Sequence, residues 1–348
     1  MVDRRRAIGV ALVVASSAAY AAGPLFAKGS YQAGLDWLSV LAWRFLIGAV
    51  LSWAWVLAIP THRAALRAMS RRRVLPALAL GAFFVGNAAT YYAALETVDA
   101  SLAALLLYIY PVLVALLSIR FGARLVGARP WVALALAVAG AALALGGIPS
   151  GAVPPVAGLA LAVASPIVYS VYIVLTARFA GERRGRLPGH AAPPEGVPGE
   201  LSAAGATASV EPLGQPAQVP GERGAPAAPV AALMLSGTCA VVLALAVVAG
   251  RPILPAAVPA AAWPGLLGIG IVTTALAVQA FYAGTARIGA AQAALVSTME
   301  PIWTITLATA FLGESLTPVQ LVGGGLVIGA VLIAQTTPGT AAPLVREE

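Results

Sequence analysis

Ten runs of about twenty apolar residues, separated by short polar stretches, constrain this chain more than any other feature of it. They lie near 7–25, 36–59, 74–94, 100–119, 131–148, 156–178, 230–249, 263–285, 290–311 and 318–336. A helix rising 1.5 Å per residue needs about 20 apolar residues to cross the roughly 30 Å hydrocarbon core of a bilayer. Strands would alternate at period two, and these continuous Ala/Leu/Val/Gly runs do not. A chain of 348 residues would otherwise suggest two soluble domains, but 60% hydrophobic and 10% charged residues leave too little charge for a soluble surface. The expected fold is an all-α integral membrane protein with ten transmembrane helices.

The runs are written twice. YAALETVDASLAALLLYIYP at 92–111 returns as YAGTARIGAAQAALVSTMEP at 282–301, with Tyr92/Tyr282, Leu105/Leu295 and Pro111/Pro301 matched without a gap. GVALVVASSAAY at 9–20 likewise returns as GLALAVASPIVY at 158–169. The chain therefore divides into two related halves, 1–149 and 150–348. Five spans per half is an odd number, so the second half must enter the membrane in the opposite sense, as an inverted repeat. The repeat also argues against reading MVDRRR and the apolar run after it as a cleaved signal peptide, since its counterpart lies mid-chain. Residues 181–229, rich in proline and glycine and without an aromatic residue, cannot bury a core and are expected to be a disordered cytoplasmic insertion.

The net charge of +8 invites a nucleic-acid reading, but the positions of the basic residues give another. With the N-terminus inside, eighteen of the 21 fall on the inner side, among them Arg4–Arg6, Arg63, Arg67, Arg71–Arg73 and Arg183–Arg186 apart from Gly185. Lys28 and Arg251 lie outside and Arg44 within a span, while Asp36, Glu96, Asp99 and Glu314 sit at outer ends. This positive-inside bias predicts a multi-pass protein of the cell membrane with both termini cytoplasmic, its basic runs facing anionic lipid and no nucleic acid. The lone Cys239 supports neither a disulfide nor a thiolate metal site.

Glu300 is the sharpest candidate for chemistry. It stands about ten residues, roughly 15 Å, into its span, where a carboxylate must face a cavity or a partner. Pro301 beside it lacks an N–H and loosens the helix, as Pro111 does in the first half. Glu300 reads either as a substrate- or proton-handling group or as a buried structural acceptor. Arg44 lies about eight residues beyond Asp36 and either snorkels, contacts an anion or partners Glu300. Tyr108, Tyr110, Tyr92, Tyr282, Trp43 and Trp303 either line a cavity or form interfacial belts, with Tyr110 and Glu300 at equivalent places before the paired prolines. Lys28 reads as an anchor at the outer interface. Gly323-Gly324-Gly325 and the Gly325/Gly329 pair read as close helix packing. No catalytic triad, Walker loop or acidic metal motif is present, so neither an enzyme, a cofactor nor a metal is expected.

These residues resemble a known family. Residues 265–334, with the core ALVSTMEPIWTITLATAFLGESLTPVQLVGGGLVIGAVLI, are similar to the closing repeat of EamA-type transporters of the drug/metabolite transporter superfamily. PLFAKGSYQAGLDWLSVLAWRFLIGAVL, with Lys28 and Arg44-Phe45, resembles the family's opening helices, and ALETVDASLAALLLYIYPVLVALLS its third and fourth. The family's Leu-Gly-Glu signature stands at Leu312-Gly313-Glu314, whereas the first half reads Phe121-Gly122-Ala123-Arg124. The resemblance implies ten helices in two inverted bundles around a central cavity open to each side in turn, and export of small metabolites such as amino acids. Partners implied are a small-molecule substrate, membrane lipid and protons as candidate coupling ion, with a homodimer compatible. The competing classes are a membrane sensor or scaffold acting through 181–229 and a flippase for a lipid-linked substrate.

Overall fold

The computed structural model describes residues 2–119, 128–149, 151, 153–179 and 227–335. The described residues form helices and their connections: α1 (Val2–Ala21), α2 (Gly23–Gln32), α3 (Trp37–Ala58), α4 (Pro60–Ala68), α5 (Arg71–Ala94), α6 (Ala100–Leu107), α7 (Tyr110–Ile119), α8 (Arg129–Gly146), α9 (Val156–Phe179), α10 (Ala227–Val248), α11 (Trp263–Leu267), α12 (Ala277–Ile288), α13 (Ala290–Ser297), α14 (Glu300–Leu307) and α15 (Pro318–Gln335). A π-helical stretch, Gly268–Leu276, joins α11 to α12, and another, Ala308–Leu312, continues α14. Most of the insertion read at 181–229 lies outside the described residues, as do Phe121–Arg124. Its last three residues, 227–229, already belong to α10.

Among the described residues, seven helical segments are long and apolar enough to cross a membrane, and three shorter apolar helices cover 100–114, 131–146 and 318–334. Each falls on one of the apolar runs. The chain is a multi-pass membrane protein. Element boundaries also repeat: α3 at 37–58 matches α10 at 227–248, and α6 at 100–107 matches α13 at 290–297, both at the spacing of the paired tyrosines and prolines.

Pairings between helices follow the same rule. α5 packs on α10 and on α9, while α3 packs on 268–276 and α1 on α12. Exchanging the halves turns the first two contacts into the last two. α8 and α15, equivalent to one another, form a pair of their own. Lipid tails are as apolar as leucine, so helix association rests on close van der Waals contact rather than on escape from water. Small residues permit it. A side chain on Gly140 would meet the Gly323 carbonyl oxygen at 2.6 Å, and one on Gly323 would meet the Gly140 carbonyl at the same distance. Gly324 packs on Leu105, whereas Gly325 and Gly329 have open space where a side chain would stand among the described residues.

Candidate functional site

Both halves break a helix at the same place. α6 ends at Leu107 and α7 begins at Tyr110. α13 ends at Ser297 and α14 begins at Glu300. Pro111 and Pro301, each second in the new helix, lack the N–H that would reach back four residues, so the ladder is interrupted before them. The gap closes as a tighter turn, the Ile109 N–H donating to the Leu106 carbonyl at 3.3 Å and Met299 to Val296 at 3.2 Å. In the second half the carbonyl that Pro301 leaves unclaimed, that of Ser297, accepts from the Tyr108 hydroxyl at 3.2 Å.

The same hydroxyl lies 2.9 Å from Glu300 Oε2, so its one proton is shared between the Ser297 carbonyl and the carboxylate. Glu300 itself is 0% exposed. A tyrosine from one break thus holds the carboxylate that starts the helix after the other.

Arg44 does not snorkel. It is 2% exposed in α3, its Nε donating to Thr274 Oγ1 at 3.1 Å. Thr274 spends its own hydroxyl proton on the Ile269 carbonyl at 3.0 Å, so its oxygen is free to accept. Both threonine and carbonyl belong to the π-helical stretch, whose wider turn allows that bond across five residues. The guanidinium lies 4.9 Å from the Tyr92 ring centre and 5.2 Å from Phe45, within cation–π range. Arg44 and Glu300 line one cavity, together with Tyr91, Tyr92, Asn87 and Thr304. Its volume of about 10 Å³ is room for about one water molecule.

The other candidates fall elsewhere. Tyr110 stands in an aromatic cluster, 6.0 Å from Tyr108 and 4.7 Å from Tyr169, and its carbonyl accepts from Ser170 at 3.1 Å. Trp303 is half-buried in α14 and is not among the cavity's lining residues. Sequence reasoning passed over Tyr91, Asn87, Thr274 and Thr304. Tyr91 had a signal in its place beside Tyr92, one residue before which a helix turns a neighbouring face to the same space; the threonines had none. Among the described residues no three His, Cys, Asp or Glu side chains converge as metal ligands.

A second polar centre joins the halves at the end of the bundle where Asp36, Glu96, Asp99 and Arg251 lie. Gly313, left-handed at φ +68°, turns the chain so that Glu314 reaches α6. Its carboxylate accepts from the Ala100 N–H at 2.8 Å and the Ser101 N–H at 2.9 Å, and lies 3.8 Å from Lys28 Nζ. Lys28 therefore has an ionic partner within the chain rather than serving as an interfacial anchor alone. Asp36 caps α3 through the Leu38 and Ser39 N–H groups. Burial raises the Asp99 carboxyl above its ordinary value, repulsion from Glu314 adds to this, and Lys28 opposes it. Glu96 is also raised by burial, against the lowering effect of the Trp37 N–H it accepts.

An all-helical membrane bundle with a buried ion-bearing cavity beside broken helices is the architecture of a carrier. The sequence matches the model of the EamA-like transporter family over residues 7–146 and 221–336, and the chain belongs to that family. A search of curated proteins finds no match. Among solved structures, one titled "Crystal structure of protein" superposes with a TM-score of 0.56 at 19% identity, covering 94% of this chain and 96% of the other. That likeness concerns the fold alone.

Proposed function

We propose that the protein is a secondary transporter exporting small metabolites such as amino acids across the plasma membrane by alternating access. The ten spans form two inverted five-helix units, 1–149 and 150–348, with both termini cytoplasmic. The matched element boundaries and exchanged helix pairings support this reading, and the family membership supports transport. The observation that carries it is the meeting of Arg44 from the first half and Glu300 from the second on one cavity beside a helix break.

A buried guanidinium and a buried carboxylate are expensive in the membrane and are kept where they bind or move ions. Glu300 is the coupling or substrate-binding carboxylate. It gives up or takes a proton as the cavity faces one side and then the other, and Tyr108 orients it. Arg44, fixed by Thr274, supplies the opposite charge. Pro111 and Pro301 supply the breaks, while Tyr110 and Trp303 shape the surroundings. The conformation seen, with space for about one water, is closed around the site and must widen to admit a solute. Such a cycle needs no catalytic residue and no cofactor.

The test is counterflow of labelled amino acids and related metabolites by the purified protein in proteoliposomes. Saturable exchange of at least one compound is expected. A correctly folded protein that moves nothing in a broad panel contradicts the proposal.

A further inference from the structure

The Glu314 contact is a helix cap supplied from the wrong half of the molecule. Asp99 occupies the N-cap position of α6, and aspartate is among the best N-cap residues, yet its side chain makes no capping bond. Glu314, reaching across from the second half, takes the two N–H groups instead, one on each carboxylate oxygen. The same carboxylate pairs with Lys28 of α2. It therefore ties together α2, α6 and the segment that continues α14. α2 and α14 are walls of the cavity, through Pro24 and Thr304.

We propose that Glu314 and Asp99 are alternative caps for α6, exchanged when the outer gate opens. The idea rests on the alternating-access reading. With the gate closed, as here, Glu314 holds the cap and Lys28, and the end of the bundle is latched. Opening carries Glu314 away, which would leave backbone N–H groups without acceptors at a helix N-terminus. Asp99 already stands at the N-cap, where side-chain rotation alone brings its carboxylate to the Ser101 and Leu102 N–H groups, as Asp36 does at the start of α3. Two features permit the movement. Glu314 follows Gly313 in the left-handed region, and the π-helical turn before it has a looser ladder that absorbs a shift. Asp99 meanwhile stands exposed at that end of the bundle in the closed state, beside the Glu314 carboxylate that repels it.

The experiment reads gate opening directly, without a substrate. Cys239→Ser removes the native thiol, and Ala88→Cys places a reporter on the cavity wall, where Ala88 is 3% exposed. A membrane-impermeant thiol reagent is applied from outside to cells. Glu314→Ala should raise the labelling rate about fivefold, the size of population change that loss of one helix cap brings. Glu314→Gln keeps one acceptor oxygen but loses Lys28. It should raise the rate by less, and it serves if the alanine variant fails to fold. Asp99→Ala, which removes the cap of the open state, should lower the rate below that of the parent. Unchanged labelling in folded Glu314 variants overturns the proposal, as does an Asp99→Ala rate raised like that of Glu314→Ala. If labelling shifts as expected while no solute moves in the counterflow assay, the cap exchange stands and the transport reading falls.

Discussion

The two helix breaks share a backbone and differ in chemistry. Each leaves two residues between one helix and the next, each closes with the same tight turn, and each is followed by a proline. After the first break the new helix starts with Tyr110, which packs into a tyrosine cluster. After the second it starts with Glu300, held by Tyr108 against the cavity. The break is thus a feature of the repeat, while the ionisable group belongs to one half alone. The transport cycle we propose needs both: two breaks to let equivalent helices flex, one carboxylate to couple them.

Several substitutions bear on that contrast. The largest effect is expected at Tyr108, which touches both breaks. Tyr108→Ala removes a buried ring and both of its hydrogen bonds, and should cost about 3–5 kcal/mol of stability, seen as a lower melting temperature in detergent. Tyr108→Phe keeps the ring and loses only the bonds to Glu300 and the Ser297 carbonyl, for about 1–2 kcal/mol. If the two variants melt alike, the hydroxyl and not the packing holds the breaks together.

Next come the prolines. Pro111→Ala and Pro301→Ala each restore an N–H and should change melting by amounts within about 1 kcal/mol of one another, since the backbones are equivalent. Only the second should slow transport markedly, because only it competes with Tyr108 for the Ser297 carbonyl. Equal loss of transport in both would remove the distinction drawn here.

The smallest effect is expected at Asp99. Its carboxyl is raised in the folded state, so the ionised form costs stability above that raised pKa, and the cost disappears as pH falls through it. Asp99→Asn should therefore melt slightly higher than the parent near neutral pH, an advantage that shrinks as the pH is lowered through the raised pKa. The equivalent helix α13 has Gly289 at its N-cap, with φ +83° and no side-chain cap, and offers no such group.

Much of this was legible in the chain. Apolar runs as long as a bilayer is thick cannot hide, and a proline inside one announces a break. Glu300 stood out because a carboxylate so deep in an apolar run needs a reason. What stayed hidden depends on which helices meet. Thr274 holds Arg44 from 230 positions away, and Glu314 caps a helix 214 positions before it. The π-helical turn that lets Thr274 bond both ways has no counterpart in hydrophobic period. Arg44 reads from sequence as snorkelling, as an anion contact or as a partner for Glu300, because depth along a helix does not say which face looks inward. Trp303 shows the same limit in reverse, an aromatic at a plausible depth whose side chain is not on the cavity.

The contrast between the breaks is tested most directly by flux driven by a pH gradient in proteoliposomes, measured together with substrate exchange, for Glu300→Gln and Tyr110→Phe. The account predicts that Glu300→Gln still exchanges substrate or loses binding, and in either case no longer responds to the gradient, while Tyr110→Phe keeps both activities. A Glu300→Gln protein that accumulates substrate against the gradient as the native protein does would contradict it.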